Sequence, residues 1–549
     1  MTDQDPYIVG FSDSVHDRSV CLFQGARPVV GVEEERLTRR RYAIDFQGAD
    51  RTDPAVFAQL DLDAGSSADN TERLRPLVDY CLGSAGIDSA DVRLWIGNSL
   101  HSAFPFPDRA VFVNHHLAHA ASAFYGSGAA EAAVLVADGY GDAVSSDSFE
   151  AVSLYHAKGG DVEFIQRVEG IRDGLHLCNS AGILYRIATL LSGFGVMEEG
   201  KTMGLAAHGK PRHLEEILRH ISFGADAVAI DNDAIWRAFR DRNFPTLEER
   251  ADVAASFQEA LEQIMLQYAR LARDLTGCDT LCMAGGVALN CVANQRIADS
   301  GLFSSVWVFP AAADNGISFG AAYLGAHRVY GLARGAGMDS AFLGRSYGSA
   351  DLQSALGQFA GRFRVLDIGT GNCAERAARH IADGGLVMWF QGGSEIGPRA
   401  LGHRSIFGDP RSALTRDHIN AAVKSREMFR PLAPIVLEEE AADWFHCTRS
   451  PFMLFTPRVR EHVKSRIPAV VHVDGTARVQ TLRQRDNPEV HRLLRAFQQA
   501  TGIPMVINTS FNLHGEPIVE SPAHAVRAFG ESPVTVLCLD GLYVEKLPA

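Results

Sequence analysis

No apolar run in the 549 residues approaches the ~18 needed to cross a bilayer, so no membrane span is expected. The first residues, Met1-Thr2-Asp3-Gln4-Asp5, carry acid where a signal peptide carries base and then an apolar stretch, which predicts a cytoplasmic protein. Basic charge is in deficit. Lys and Arg number 52 against 66 Asp and Glu, a formal net charge of −14, and no nucleic-acid partner is expected from that balance. The nine cysteines include no CxxC pair. The nearest two, Cys278 and Cys282, have no second pair or histidine cluster downstream, so they read as reduced thiols and not as a zinc site. Coiled-coil and low-complexity patterns are missing too. What remains, 46% hydrophobic and 21% charged, is ordinary for a globular protein, and the length suggests roughly two to four domains.

Strands recur in a pattern. Tyr7 to Ser12 (YIVGFS) reads as a strand ending in a polar turn, with Ser19 to Phe23 and Val29 to Glu34 as two more. A basic stretch, Arg36 to Arg41, follows. Ala133 to Asp138 (AVLVAD) repeats the theme before Gly139-Tyr140-Gly141-Asp142, with strands around Val152 to His156 and Val162 to Val168. The recurrence points to an internal duplication. A third element, Thr280 to Asn290 (TLCMAGGVALN), runs an apolar strand into a Gly-Gly turn and a helix. Glycines let a backbone approach a nucleotide closely and a helix N-terminus favours anions, so Gly285, Gly286 and Asn290 are candidate nucleotide contacts. Together the three elements predict an α/β fold of the actin-like, sugar-kinase-like ATPase type, with two related halves clamping a nucleotide. The Gly- and Ser-rich stretch Leu343 to Phe363 predicts a junction between residues 1–345 and a separate α/β domain at 365–549. That domain has strands at Leu386 to Phe390, Met505 to Asn508 and Val534 to Leu539.

Four constellations carry possible chemistry. His115 and His119, four apart in Asn114-His115-His116-Leu117-Ala118-His119-Ala120, share one face of a helix and suit one metal, although such a pair also serves as structural histidines. Asp138 at its strand end and Asp314 in Ala313-Asp314-Asn315-Gly316 would complete a site for iron, manganese or zinc. His16, in the turn His16-Asp17-Arg18-Ser19, is a candidate general base on a hydroxyl; an exposed turn histidine is otherwise unremarkable. Lys201, between glycines in Gly200-Lys201-Thr202-Met203-Gly204, reads either as a phosphate contact in a turn or as a solvated lysine. The last constellation gathers cations at glycine-rich turns: Arg399 and Arg404 in Gly397-Pro398-Arg399 to Ser405, and Lys424, Arg426 and Arg430 in Lys424 to Pro431. Asn508, Ser510 and Asn512 add neutral donors. In an acidic chain this concentration favours an anion site.

In order, the chain carries HDxS, HHxxHA, DGxGD, GKxMGLA, GGVALN, GPRALGxRS, KxRExFRPLAP, DGTARVQ and NTSFNxxGEPI. The set resembles the O-carbamoyltransferase family, which includes tobramycin, cephalosporin and nodulation-factor carbamoyltransferases, over nearly the whole chain. The resemblance implies two parts. One is an N-terminal actin-like domain similar to the tRNA threonylcarbamoyl-transferring protein, and the other a C-terminal domain similar to threonylcarbamoyl-AMP synthase. It implies that ATP, with Mg2+, and carbamoyl phosphate form carbamoyl-AMP in the C-terminal domain; from the density of cations there, Arg430 is expected to be essential to that step. The N-terminal domain then transfers the carbamoyl group to a hydroxyl of a small-molecule acceptor, such as an antibiotic. An Fe2+-type metal is implied on His115, His119, Asp138 and Asp314, with His16 as acceptor base. Arg18 departs from the small residue usual between Asp17 and Ser19, His208 from an aromatic and Ile396 from Phe. Asp45 to Asn70 is longer and more polar than usual and is expected to shape the acceptor pocket. Because carbamoyl intermediates hydrolyse readily, the two sites are expected to face one enclosed space. A tRNA-modifying or hydrogenase-maturation enzyme with the same acyl-adenylate chemistry is the alternative.

Overall fold

Two sheets in the first part of the chain follow one strand plan. The computed structural model describes residues 5–14, 16–43, 69–99, 109–173, 176–338, 340–359 and 361–547. The segment Asp45 to Asn70, apart from its last two residues, lies outside them. The chain separates into two units: residues 1–38 with 42–339, and residues 39–41 with 340–549.

In unit 1, β1 (Tyr7–Asp13), β2 (Ser19–Gln24), β3 (Arg27–Glu33), β4 (Val92–Ser99) and β5 (Ala110–Phe112) lie in the order β3-β2-β1-β4-β5. β1, β2 and β3 pair antiparallel, and β4 and β5 continue parallel to β1. The second sheet contains β6 (Glu131–Ala137), β7 (Ser148–Lys158), β8 (Asp161–Asp173) and β9 (His176–Cys178). A separate hairpin joins β10 (Ile221–Phe223) to β11 (Val228–Ile230). With β12 (Thr280–Ala284) and β13 (Ser305–Val308), the second sheet runs β13-β12-β6-β7-β8-β9. Again three strands, β6 to β8, are antiparallel, and β12 and β13 follow in parallel. β1 and β6 are buried along almost their whole length. That explains why both read as continuous apolar runs and not as alternating ones.

The helix Ile317–Leu324 packs on the helix His115–Ser127 at Gly320, where a Cβ would stand 1.8 Å from the Ala118 carbonyl oxygen. Only glycine permits that approach, which brings the turn before the first helix beside the first turn of the second.

Unit 2 is built on one eight-stranded mixed sheet: β14 (Phe363–Asp367), β15 (Val387–Phe390), β16 (Arg404–Gly408), β17 (Ala433–Leu437), β18 (Gln480–Leu482), β19 (Met505–Ser510), β20 (Val536–Leu539) and β21 (Leu542–Lys546). Its order is β14-β21-β20-β15-β16-β19-β17-β18. The helices Gly369–Ala382, Pro488–Thr501 and Pro522–Glu531 supply much of its core, including Ala377, Leu494 and Phe529. Leu343 to Phe363, expected as a junction, belongs to unit 2 and contains the helix Ser349–Gly357. All nine cysteines are free thiols, seven of them buried. Among the described residues no helix is long and apolar enough to cross a membrane.

Candidate functional site

The histidine helix of unit 1 begins at a tight cap. Asn114 accepts the Leu117 N–H at 2.9 Å, while its amide donates to Asp142 and Glu150, each at 3.0 Å. Asp142 also accepts the His115 backbone N–H at 2.8 Å, so a carboxylate sits on the helix N-terminus, where the dipole favours it. His115 and His119, both fully buried, then project from one face. Asp138 follows β6, and its Oδ1 accepts the N–H groups of Gly139 at 2.7 Å and Gly286 at 3.1 Å. Its Oδ2 faces His115 Nε2 at 3.2 Å and His119 Nε2 at 3.3 Å. Asp314, in the turn before Ile317–Leu324, places Oδ1 3.6 Å from each of the two imidazole nitrogens.

The donor atoms of these four residues lie within 4.8 Å of one another. Donors ~2.1 Å from a shared ion in a tetrahedron stand about 3.4 Å apart, so the observed nitrogen–oxygen spacings suit one divalent cation. His119 Nε2 is buried and makes no hydrogen bond despite its carboxylate neighbours, as expected of a ligand atom aimed at an ion.

His16 belongs to the same field. Its Nδ1 lies 3.2 Å from Asp17 Oδ2, and Asp17 holds a left-handed φ of 56°. Burial pulls the imidazole down, but Asp17, Asp314 and Asp138 together lift it to about 9. His115 is lifted to about 9 likewise, against its burial, by Asp314 and Asp138. A cation between Asp138 and Asp314 would weaken their pull on His16 and leave the Asp17 contact as its main carboxylate partner.

The remaining predicted residues of unit 1 have structural partners. Gly285, at φ 93°, is required because a Cβ there would stand 2.2 Å from the Ala137 carbonyl oxygen. The Gly286 N–H is directed at Asp138. Asn290 caps the helix Cys291–Asp299 through Ala293 N–H at 3.0 Å, and exchanges two further bonds with Gln258. The Asn290 side chain, expected from the sequence at a nucleotide, is engaged by these protein partners. Lys201 lies in the helix Glu199–Ala206, not in a turn, and pairs with Glu198 at 3.0 Å.

Unit 2 has the opposite charge. Lys424, 4% exposed, donates to Asn512 Oδ1 at 2.7 Å, Asn512 O at 3.0 Å, Ser510 Oγ at 3.3 Å and the Ser510 carbonyl. Burial, with Arg426, Arg430 and Arg41 nearby, pushes its amine well below the usual lysine range. Arg426 is pushed down to about 9 by burial and by Arg430 and Arg478. Arg426 Nε donates to Asn420 at 2.8 Å, and Arg430 has Glu427 at 3.9 Å. Arg478 Nε is buried and finds no acceptor among the described residues. Such crowding of cations fits a bound anion.

Arg404, read from the sequence as a cation of the anion site, has its donors engaged by backbone carbonyls. It is fully buried, with its guanidinium 3.6 Å from the centre of the Phe390 ring. Its donors go to the carbonyls of Gln391 at 2.7 Å, Gly392 at 2.7 Å, His403 at 3.1 Å and Glu520 at 3.2 Å. It ties a glycine-rich loop together and has no donor to spare for phosphate. Asn508 is also structural, donating to Ala400 O at 3.0 Å and Gln480 Oε1 at 2.8 Å. Arg399 is half-buried on the same loop.

Residues 97–323 match the carbamoyltransferase N-terminus and residues 378–546 the carbamoyltransferase C-terminus. The nodulation protein NolNO of Sinorhizobium fredii is 35% identical over 97% of this chain and 80% of that protein. The chain belongs to the carbamoyltransferase family. A 3'-hydroxymethylcephem-O-carbamoyltransferase of Streptomyces clavuligerus is 34% identical to this carbamoyltransferase over 60% of the chain and 61% of its own length. Full-length HypF, solved in a phosphate- and nucleotide-bound form, matches 59% of this chain and 47% of its own with 13% identity and a TM-score of 0.37, too slight a likeness to argue from.

Sequence reasoning on this carbamoyltransferase passed over Asp142, Glu395, Arg478 and Arg41. Asp142 was visible as the second acid of DGxGD, but its bond to the His115 N–H is a tertiary contact. Glu395 accepts the N–H groups of Leu401, His403 and Arg404 at 2.7, 2.8 and 3.1 Å and so shapes the loop. No spacing rule signals that.

Proposed function

We propose that this carbamoyltransferase is an ATP-dependent O-carbamoyltransferase acting on a small-molecule hydroxyl, with the two steps divided between its units. In unit 2, water releases carbamate and phosphate from carbamoyl phosphate. A carbamate oxygen then attacks the α-phosphorus of ATP, supplied with Mg2+, and pyrophosphate leaves. Lys424, Arg426 and Arg430 hold the polyanions, with Ser510 and Asn512 fixed around the lysine. Positioned cations are the main resource for such chemistry. In unit 1, the acceptor oxygen attacks the carbamoyl carbon, AMP leaves, and His16 takes the hydroxyl proton. His115, His119, Asp138 and Asp314 would hold a divalent metal, Fe2+ on the family resemblance, which supplies Lewis acidity at the carbonyl or phosphate oxygen.

The repeated strand plan of the two unit 1 sheets supports a duplicated, actin-like architecture for the transfer unit. Unit 2 then corresponds to the adenylate-forming, threonylcarbamoyl-AMP-synthase-like domain. The acceptor class follows from the cephem relative, whose name specifies transfer to a hydroxymethyl oxygen. An antibiotic or comparable metabolite is the expected acceptor and the cytoplasm the expected location. The observation that carries the proposal is the presence in one chain of a buried two-histidine, two-aspartate cluster and a separate cation cluster.

The test is carbamoyl-phosphate-dependent release of pyrophosphate from ATP, followed by mass spectrometry of hydroxylated acceptors. Arg430→Ala should stop pyrophosphate release yet still transfer from supplied carbamoyl-AMP. Normal carbamoyl-AMP formation by that variant would overturn the division of labour.

A further inference from the structure

The adenylate-forming reading leaves one basic tract without a role. Arg39–Arg41 lies in the first tenth of the sequence but groups with unit 2. Its flanks are unusual: Arg39 and Tyr42 both adopt a left-handed φ of 60°. Neither is glycine, so each conformation is unfavourable and persists only where contacts hold it.

Those contacts are specific at Arg39. Its Nη1 donates to Ile518 O at 2.6 Å, and its Nη2 to Pro517 O at 2.6 Å and Glu516 Oε2 at 3.5 Å. Glu516 is itself clamped by Arg527, at 2.8 Å to both carboxylate oxygens. The Glu516 carbonyl accepts Asn512 Nδ2 at 2.7 Å, and Asn512 Oδ1 accepts Lys424 Nζ at 2.7 Å. Three steps therefore lead from Arg39 to the centre of the cation cluster. Arg41, two residues on, is exposed. Its charge is among those that depress the Lys424 amine, which puts it within electrostatic reach of that group.

We propose that Arg41 is a further substrate-binding cation of the unit 2 anion site, and that Arg39 is the positioning residue that anchors it to the loop carrying Ser510 and Asn512. The proposal rests on the adenylate-forming reading of unit 2. Its ligand is a phosphate group of ATP or of carbamoyl phosphate. Gathering a further cation beside Lys424, Arg426 and Arg430 is unfavourable until an anion neutralises the group, and an exposed arginine at the margin suits capture of a polyanion from solution. The sequence neighbours of Arg41 conceal this role, because the other motif cations lie some 400 residues away, at 424–430.

The experiment uses the full chain and the variants Arg41→Ala, Arg41→Lys and Arg39→Ala. KM is measured separately for ATP and carbamoyl phosphate in carbamoyl-phosphate-dependent pyrophosphate release. Arg41→Ala should raise KM for one of the two about 10-fold or more, the loss expected for one charge-assisted contact, with kcat nearly unchanged. Arg41→Lys should recover part of that loss. Arg39→Ala should show the same split at smaller size, a signature that general destabilisation does not give. Unchanged KM values in Arg41→Ala, or a fall in kcat alone, overturn the proposal and leave the adenylate-forming reading standing. Wild-type protein that releases no pyrophosphate overturns both.

Discussion

The two candidate sites are electrostatic opposites. In unit 1, against their burial, Asp17 with Asp314 and Asp138 raises the His16 imidazole to about 9, and Asp314 with Asp138 raises His115 to about 9. In unit 2, burial first and neighbouring arginines second depress the Lys424 amine and bring Arg426 down to about 9. Each unit holds like charges together at a cost that a ligand of the opposite sign would relieve, a cation in the first and an anion in the second.

The strongest way to break this comparison is to remove a metal ligand. His119→Ala should strip the metal and abolish transfer while unit 2 continues to release pyrophosphate. Elemental analysis showing full metal occupancy in the variant would remove His119 from the site. His16→Asn should keep carbamoyl-AMP synthesis and lose about 10²–10⁴-fold in transfer, the usual share of a general base. Transfer at the wild-type rate across neutral pH would reduce His16 to a turn residue.

A third test sharpens the contrast within unit 2 between arginines at the cluster and the arginine that builds the loop. Arg404→Met leaves four carbonyl groups short of a donor and should cost about 3–5 kcal/mol of stability. Arg430→Ala, at a quarter-exposed side chain with a distant acidic neighbour, should cost less than about 1 kcal/mol. Denaturant melts that rank the two the other way would exchange their roles.

The smallest expected effect is on acid stability. Burial, aided by Arg404, outweighs Glu395 and holds His403 down at about 4. Burial with Arg39 and Arg527 holds His524 at about 4 as well. An unfolded histidine titrates near 6.5, so below that pH the unfolded chain binds protons that the folded chain refuses. The stabilisation from the neutral rings is complete above about pH 6.5 and is lost as pH falls toward 4. His403 stacks on Phe342 with centroids 3.5 Å apart, so His403→Phe should keep the packing and flatten the fall in melting temperature across that window. An unchanged slope would show that His403 does not contribute.

Local chemistry was legible in the sequence wherever a short stretch determines geometry. Tyr7 to Ser12, Ala133 to Asp138 and Met505 to Asn508 lie on β1, β6 and β19 with ends shifted by one or two residues, because continuous apolar runs between turns leave little choice of structure. His115 and His119 share a face because they are four apart on one helix. Spacing does not carry contacts between distant segments. Asp138 and Asp314 meet the histidines only because β6, the turn at Asp314 and the Gly320 contact between two helices converge. Arg404 and Arg430 look alike as motif cations, yet one is surrounded by carbonyls and the other adjoins like charges. Arg41 lies within electrostatic reach of Lys424 although the two are far apart in sequence. Residue type and short-range pattern specified which chemistry is possible, and tertiary packing decided which of those groups are used up in building the fold and which are gathered beside others of like charge.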